Sequence, residues 1–252
     1  MEIEVRNEFS GQARVLVFNR PAKRNALTVA MYGVLADQLV EAAASAEVRA
    51  VVITGAGDIF TAGNDIRDFI GQPPIDDDSH VVRFLTALAR FPKPIIAAVN
   101  GPAIGVGTTM LLHCDLILAA SSSRFQLPFV KLGLSPEGGS SLLLPRLVGL
   151  HRASELVLWG EPFDAATAYR IGLANEVVAD GELESRTSSW LERLLELPPQ
   201  AVAAAKALLR EPLRSELFAA MSREGDVFRQ RLASSEAAEA FTAFFEKRKP
   251  RF

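Results

Sequence analysis

The sequence predicts an α/β protein that ends in an all-helical tail. Two observations carry that expectation. Continuous apolar runs of strand length recur at residues 50–54 (AVVIT), 94–100 (PIIAAVN) and 115–119 (DLILA), separated by loops and helix-like segments. Runs that are apolar throughout fit strands covered on both faces. Beyond residue 181 such runs stop, and apolar residues fall at helical spacing to the C-terminus.

Residues 14–19 (RVLVFN) form a short β-branched run and predict the first strand. Thr28 stands at a cap position before an alanine- and leucine-bearing segment that reads as a helix ending near residue 46. Residues 50–54 are the next strand and 55–65 a loop. Residues 71–78 are acidic and contain Pro73 and Pro74, the composition of a mobile surface segment. Ser79 can cap a helix running to about residue 90. Strands follow at 94–100 and 115–119, and the alternation continues to Val178. In the tail, residues 191–195, 201–209, 217–228 and 237–245 carry helical periodicity. Phe218, Met221, Phe228, Phe241, Phe244 and Phe245 lie in it, more apolar area than a short helical appendage can bury against itself. The tail must therefore dock on the core or on another subunit. A division into residues 1–195 and 196–252 is expected.

The chain has 252 residues, 49% hydrophobic and 23% charged, with a net charge of −3. That is the composition of a globular protein. An acidic isoelectric point of about 5.7 disfavours a phosphate-tracking nucleic-acid binder. No apolar run approaches the roughly 18 residues that span a bilayer. One cysteine, Cys114, excludes an internal disulfide and fits a reducing compartment. The N-terminus carries no signal-like region, so a cytoplasmic location is expected.

Three segments could carry chemistry. Residues 60–65 (FTAGND) follow a buried strand, and their small side chains let a ligand approach the backbone. Residues 100–109 (NGPAIGVGTT) also follow a strand and lead into a helix, whose first N–H groups have no intrahelical partner. Each is equally compatible with an ordinary turn, and the second lacks the lysine of a phosphate-binding loop. The third is residues 128–139 (PFVKLGLSPEGG), which places Glu137 among apolar residues. With Ser135 as N-cap and Pro136 as first helical residue, Glu137 would sit in a first helical turn. There the helix dipole alone would favour a glutamate. The dipole would lower its pKa and an apolar pocket would raise it, and a base working near neutral pH needs the pocket to win. His113 and Cys114 read as core, His151 as a helix start, and His80 as part of the acidic loop region. Ser121, Ser122 and Ser123 read as a turn. No histidine pair has ligand spacing, and no metal is expected.

Taken together, N-R-P-A-K-R-N-A-L, I-T-G-A-G-D-I-F-T-A-G-N-D, P-I-I-A-A-V-N-G-P-A-I-G-V-G and the terminal F-E-K-R-K-P-R-F resemble signatures of the crotonase, or enoyl-CoA hydratase/isomerase, superfamily. They span nearly the whole chain in the same succession. The resemblance implies a crotonase-like spiral of β-β-α turns with a C-terminal helical oligomerisation region, assembled as a homotrimer or homohexamer. It implies acyl-CoA thioester substrates, no external cofactor, and an oxyanion hole made by the backbone N–H groups of Asn64 and Val106. Ala22, Lys23 and Arg24 resemble the stretch along the CoA, and Ala62 the backbone near the adenine. Gly63, Asp65, Ile66, Gly105, Gly107, Thr109, Phe129 and Leu134 complete the substrate-binding set.

The departures direct the reading. Hydratases of the family carry a glutamate at the position of Thr109 and another at that of Phe129. With both replaced, ordinary hydration loses its two acid/base groups. L-G-L-S-P-E-G-G-S-S instead resembles the Δ3,Δ2-enoyl-CoA isomerase branch, in which the glutamate matching Glu137 works alone. Phe129 and Leu134 are then expected to wall the acyl pocket and raise its pKa. The alternatives are hydration or another thioester reaction, with Asp65 or Asp68 as the nearest acidic groups, and a non-catalytic acyl-CoA binder. RNA binding, known in the family, is disfavoured by the acidic isoelectric point.

Overall fold

The computed structural model describes residues 2–71 and 78–252. The chain opens with β1 (Ile3–Glu8) and β2 (Ala13–Phe18), followed by α1 (Val29–Ala44), β3 (Ala50–Gly55), α2 (Ile66–Gly71) and α3 (His80–Arg90). Then come β4 (Ile95–Val99), β5 (Ala103–Ile104), the short α4 (Val106–Thr109), β6 (Leu116–Ala120) and β7 (Arg124–Gln126). Helices α5 (Ser140–Val148) and α6 (Leu150–Trp159) lead to β8 (Phe163–Asp164), α7 (Ala165–Arg170) and β9 (Glu176–Val178). The tail is α8 (Leu183–Leu195), α9 (Pro199–Arg210), α10 (Arg214–Leu232) and α11 (Ser235–Glu246). The acidic segment 71–78 lies, apart from its two ends, outside the described residues.

The expected strands and helices are present, with shifted ends. The strand expected at 14–19 is β2, and it has an antiparallel partner, β1, that the apolar runs did not mark. β1 alternates buried and exposed residues only weakly because it is an edge strand. The helix expected at 191–195 begins eight residues earlier, at Leu183.

The strands form a six-stranded sheet in the order β1-β2-β3-β4-β6-β9 and a three-stranded sheet in the order β5-β7-β8. Apart from the β1–β2 pair, the larger sheet is parallel. Its register explains the unbroken apolar runs. Leu16, Ile53 and Ala97 face a layer that contains α1 and α3, while Val15, Val52 and Ile96 face α8. Both faces are covered, so the central positions of these strands are apolar, and polar residues such as Arg14 and Thr54 fall near the strand ends, each with a partner. Each fully buried Val, Leu or Ile contributes roughly 1.5–3 kcal/mol. Thr28 caps α1 by accepting from the Met31 N–H (3.2 Å), and Ser79 caps α3 by accepting from Val82. Tyr32 and Phe84 pack between these helices, ring centroids 5.4 Å apart.

The tail docks on its own core. Phe228 joins the main hydrophobic cluster, and Phe241 is buried. α9 buries none of its residues and is fastened by charge instead. Lys206 Nζ meets Asp115 Oδ2 (2.7 Å) and the Lys93 carbonyl (2.6 Å), and the Arg210 guanidinium reaches the Cys114 carbonyl (2.8 Å). Among the described residues, no helix is long and apolar enough to cross a membrane.

Candidate active site

The two glycine-containing turns lie side by side. Between them Thr61 pairs with Ala103: the Thr61 N–H donates to Pro102 O and the Ile104 N–H to Thr61 O, both at 3.0 Å. The glycines stand where the turns touch. A Cβ on Gly63 would lie 2.8 Å from Ile104 O, and one on Gly107 would lie 2.5 Å from Thr61 Cγ2. Gly63 also has φ +85°, open to glycine at no steric cost. The neighbouring N–H groups are engaged: Gly63 to Thr61 Oγ1 (3.1 Å), Asp65 to Leu27 O (2.8 Å) and Gly105 to Gln126 O (2.9 Å). Among the described residues, no acceptor is seen for the Asn64 or Val106 N–H.

Both residues line an outer cavity of about 720 Å³. Ala62, Gly63, Asp65, Ile66, Gly105, Phe129 and Leu134 line it too, as do the exposed Lys23 and Arg24. Phe241, Phe244 and Phe245 of α11 close it on one side. Asn25 explains why Arg24 projects here. Both residues are left-handed (φ 54° and 52°), a region asparagine tolerates better than most residues. The fully buried Asn25 side chain locks the turn: Oδ1 accepts from Arg20 N (2.8 Å), and Nδ2 donates to Ala56 O (2.9 Å) and Ile59 O (2.8 Å).

Glu137 opens onto an inner cavity of about 370 Å³. Asn64, Phe69 and Phe228 line both cavities, so the two meet there. Phe69 and Phe228 form an edge-to-face pair with centroids 6.0 Å apart. Tyr32, Val81, Leu85, Phe218 and Met221 supply most of the inner apolar wall. Thr109 donates to Glu137 Oε1 at 2.5 Å. Burial pushes the Glu137 carboxyl up to about 7, against the opposing Thr109 hydrogen bond and with help from the nearby charge of Glu224. The Tyr32 hydroxyl donates to Asn64 Oδ1. Burial, then the Glu137 charge, raises the Tyr32 pKa, which keeps that proton in place.

Three expectations change. Ser135 does not cap a helix: its buried hydroxyl has no partner among the described residues, and α5 begins only at Ser140. Gly138 and Gly139, with φ +68° and +78°, cannot continue a right-handed helix, so Glu137 lies in a turn before it. Phe129 and Leu134 face the outer cavity, while the walls around Glu137 come from α1, α3 and α10. Ala22, Gly107 and Thr109 line neither cavity; Thr109 is fully buried and acts on Glu137 instead.

Asp65 pairs with Arg20 (3.2 Å), and Asp68 Oδ2 accepts from the Val29 N–H at the start of α1 (2.6 Å). His113 and Cys114 are buried, as expected of core. Burial pushes His113 down to about 4, so it is neutral. Its Nε2–H tautomer donates to Gly138 O at 2.6 Å, directly behind Glu137. Among the described residues, no group of three His, Cys, Asp or Glu side chains is placed to hold a metal ion.

Sequence reasoning missed Glu224, a buried carboxylate lining the same inner cavity as Glu137. Its signal was present: Leu217, Met221, Glu224 and Phe228 recur at helical spacing, so a charged residue occupies an apolar stripe.

Comparison with known proteins agrees with this architecture. A profile described as Enoyl-CoA hydratase/isomerase matches residues 8–252. The chain is 33% identical over 240 residues to human Enoyl-CoA delta isomerase 2, covering 92% of this chain and 61% of that protein. It therefore spans less than two thirds of that relative's length. To the 2,3-dehydroadipyl-CoA hydratase of Escherichia coli strain K12 it is 35% identical over 246 residues, with 96% of each chain covered. The crystal structure of an enoyl-CoA hydratase/isomerase from Pseudoalteromonas atlantica T6c superposes with a TM-score of 0.94 at 43% identity, covering 100% of both chains. Relatives named for both reactions thus match at similar identity. With a matching profile over nearly its full length, and paired glycine turns set on a parallel sheet, the chain belongs to the enoyl-CoA hydratase/isomerase family of the crotonase superfamily.

Proposed function

We propose that the protein is a Δ3,Δ2-enoyl-CoA isomerase, which moves a double bond from C3 to C2 of an acyl-CoA thioester. The observation that carries this reading is Glu137. It opens onto an apolar cavity with a pKa near 7, and neither Thr109 nor Phe129 offers a second carboxylate.

The thioester oxygen accepts from the N–H groups of Asn64 and Val106. Ionised Glu137 removes a proton from C2, and the C–H electron pair passes into a dienolate whose charge collects on that oxygen. Donors aimed at developing charge are worth roughly 3 kcal/mol each. Protonated Glu137 then delivers the same proton to C4, the C2–C3 double bond forms, and the thioester carbonyl returns. Thr109 holds one carboxyl oxygen through both transfers, so the other swings little. The apolar walls keep out water that would otherwise exchange the proton. Lys23 and Arg24, at the outer cavity, suit the phosphates of CoA. The step needs no external cofactor. The family resemblance extends the proposal to a homotrimer or homohexamer, for which the exposed Leu150, Leu158 and Trp159 of α6 offer apolar surface.

Hydration is the second reading. It is favoured by the hydratase names among the relatives and by Glu224, which gives the inner cavity two carboxylates. Incubation with 3-hexenoyl-CoA and, in parallel, with 2-hexenoyl-CoA separates the two. Isomerisation converts the 3-enoyl to the 2-enoyl thioester at unchanged mass, and hydration makes the conjugated 2-enoyl thioester heavier by one water. Glu137→Gln should abolish turnover and leave acyl-CoA binding intact; a variant that retains most activity removes Glu137 from this role. Binding without turnover in the native protein would favour an acyl-CoA-binding role.

A further inference from the structure

We propose that Glu224 is a positioning residue: from α10 it clamps the turn that carries Glu137 and sets a second carboxylate against the same cavity. The proposal rests on the reading of Glu137 as the base. Glu224 is buried, 6% exposed, and both its oxygens are committed. Oε2 accepts from the Gly139 N–H at 2.6 Å and Oε1 from the Ser141 N–H at 2.7 Å. These are N–H groups at the start of α5, which have no intrahelical acceptor. The N-cap residue, Gly139, has no side chain to offer them. The cap therefore arrives from a helix about 80 residues later in the chain.

The turn needs such a clamp. Gly138 and Gly139 are consecutive left-handed glycines, the most permissive backbone a chain can have. His113 holds Gly138 O, the Ser140 hydroxyl holds Glu137 O at 2.6 Å, and Glu224 fixes the far side. Among the described residues, the charged and titratable groups around the inner cavity are Glu224 and Arg229 of α10, Arg90 of α3, Tyr32 of α1 and Glu137 itself, with neutral His113 behind the turn. Among these, the negative charge of Glu224 is what adds to burial in raising Glu137.

Glu224→Gln keeps the size and removes the charge; its one amide oxygen can still accept from one of the two N–H groups, and the other loses its acceptor. The readout is the protonated-carboxyl infrared band that disappears in Glu137→Gln, followed against pH without substrate. Its midpoint, near 7 in the native protein, should fall by about half a unit or more in Glu224→Gln. An unmoved midpoint in a folded variant reduces Glu224 to a helix cap and overturns the proposal. In the unmutated protein, the Gly139 and Ser141 amides should exchange with solvent as slowly as those of β4. Rapid exchange refutes the clamp even if the variant fails to fold. Because neither readout uses turnover, a shifted midpoint alongside failed conversion of 3-hexenoyl-CoA would sink the isomerase reading and leave the clamp standing.

Discussion

Glu137 and His113 titrate in opposite directions, and each leaves a mark on stability. Burial raises Glu137 from 4.5 to about 7, so the folded state binds its proton more tightly than the unfolded chain. Stability from this group is complete below pH 4.5 and is lost as pH rises through about 7. The loss is on the order of 3 kcal/mol. Urea unfolding should therefore show a decline between pH 4.5 and about 7 that Glu137→Gln lacks. His113 falls from 6.5 to about 4, so its stability is complete above 6.5 and disappears as pH falls through 4. Thr109 offers a kinetic counterpart. Its hydrogen bond favours the ionised carboxylate, so Thr109→Val should move the acid limb of kcat/KM to higher pH; an unchanged limb would remove Thr109 from control of the base. Glu137 was legible in the sequence because it stands alone among apolar residues. Its position before the helix was not. Ser135-Pro136 imitates a cap followed by a first helical residue, and only the positive φ angles of Gly138 and Gly139 delay the helix to Ser140.

Among the elements, α10 lines the inner cavity and α11 closes the outer one on one side. α11 holds Phe241, Phe244 and Phe245 over the outer cavity and begins with a cap, Ser234 Oγ accepting from the Ala237 N–H at 3.2 Å. Ser234→Ala should cost about 1 kcal/mol, and hydrogen exchange should place that loss in α11 rather than in the sheet, with weaker acyl-CoA binding. The turn after β2 is held more firmly. Asn25→Ala orphans the Ala56 and Ile59 carbonyls and should cost about 2–3 kcal/mol by urea unfolding. The parallel strands were legible because burial on both faces forces an unbroken apolar run. The edge strand β1 and the two- and three-residue strands of the smaller sheet were not, since so short a pairing needs no run of its own.

At the scale of the whole molecule, the helical tail and the α/β core share a cavity wall. The expected boundary near residue 195 separates an α/β pattern from a helical one. Yet Phe218, Met221, Glu224 and Phe228 of α10 line the inner cavity together with Tyr32, Asn64 and Glu137. Contacts between positions so distant in the chain are invisible to local periodicity, which is why the pocket walls were misplaced. Thermal unfolding should accordingly be a single transition, with calorimetric and van't Hoff enthalpies in agreement; two resolved transitions would restore the tail as a separate unit. The reach of Glu224 back to Gly139 and Ser141 also bears on biosynthesis. A ribosome delivers the sheet, both glycine turns and Glu137 long before α10 emerges, and domains fold as their residues become available. Until then the Glu137 turn is held by His113 and Ser140 alone, so a nascent chain or one that stops short of α10 carries Glu137 without the contact that fixes the far side of its turn.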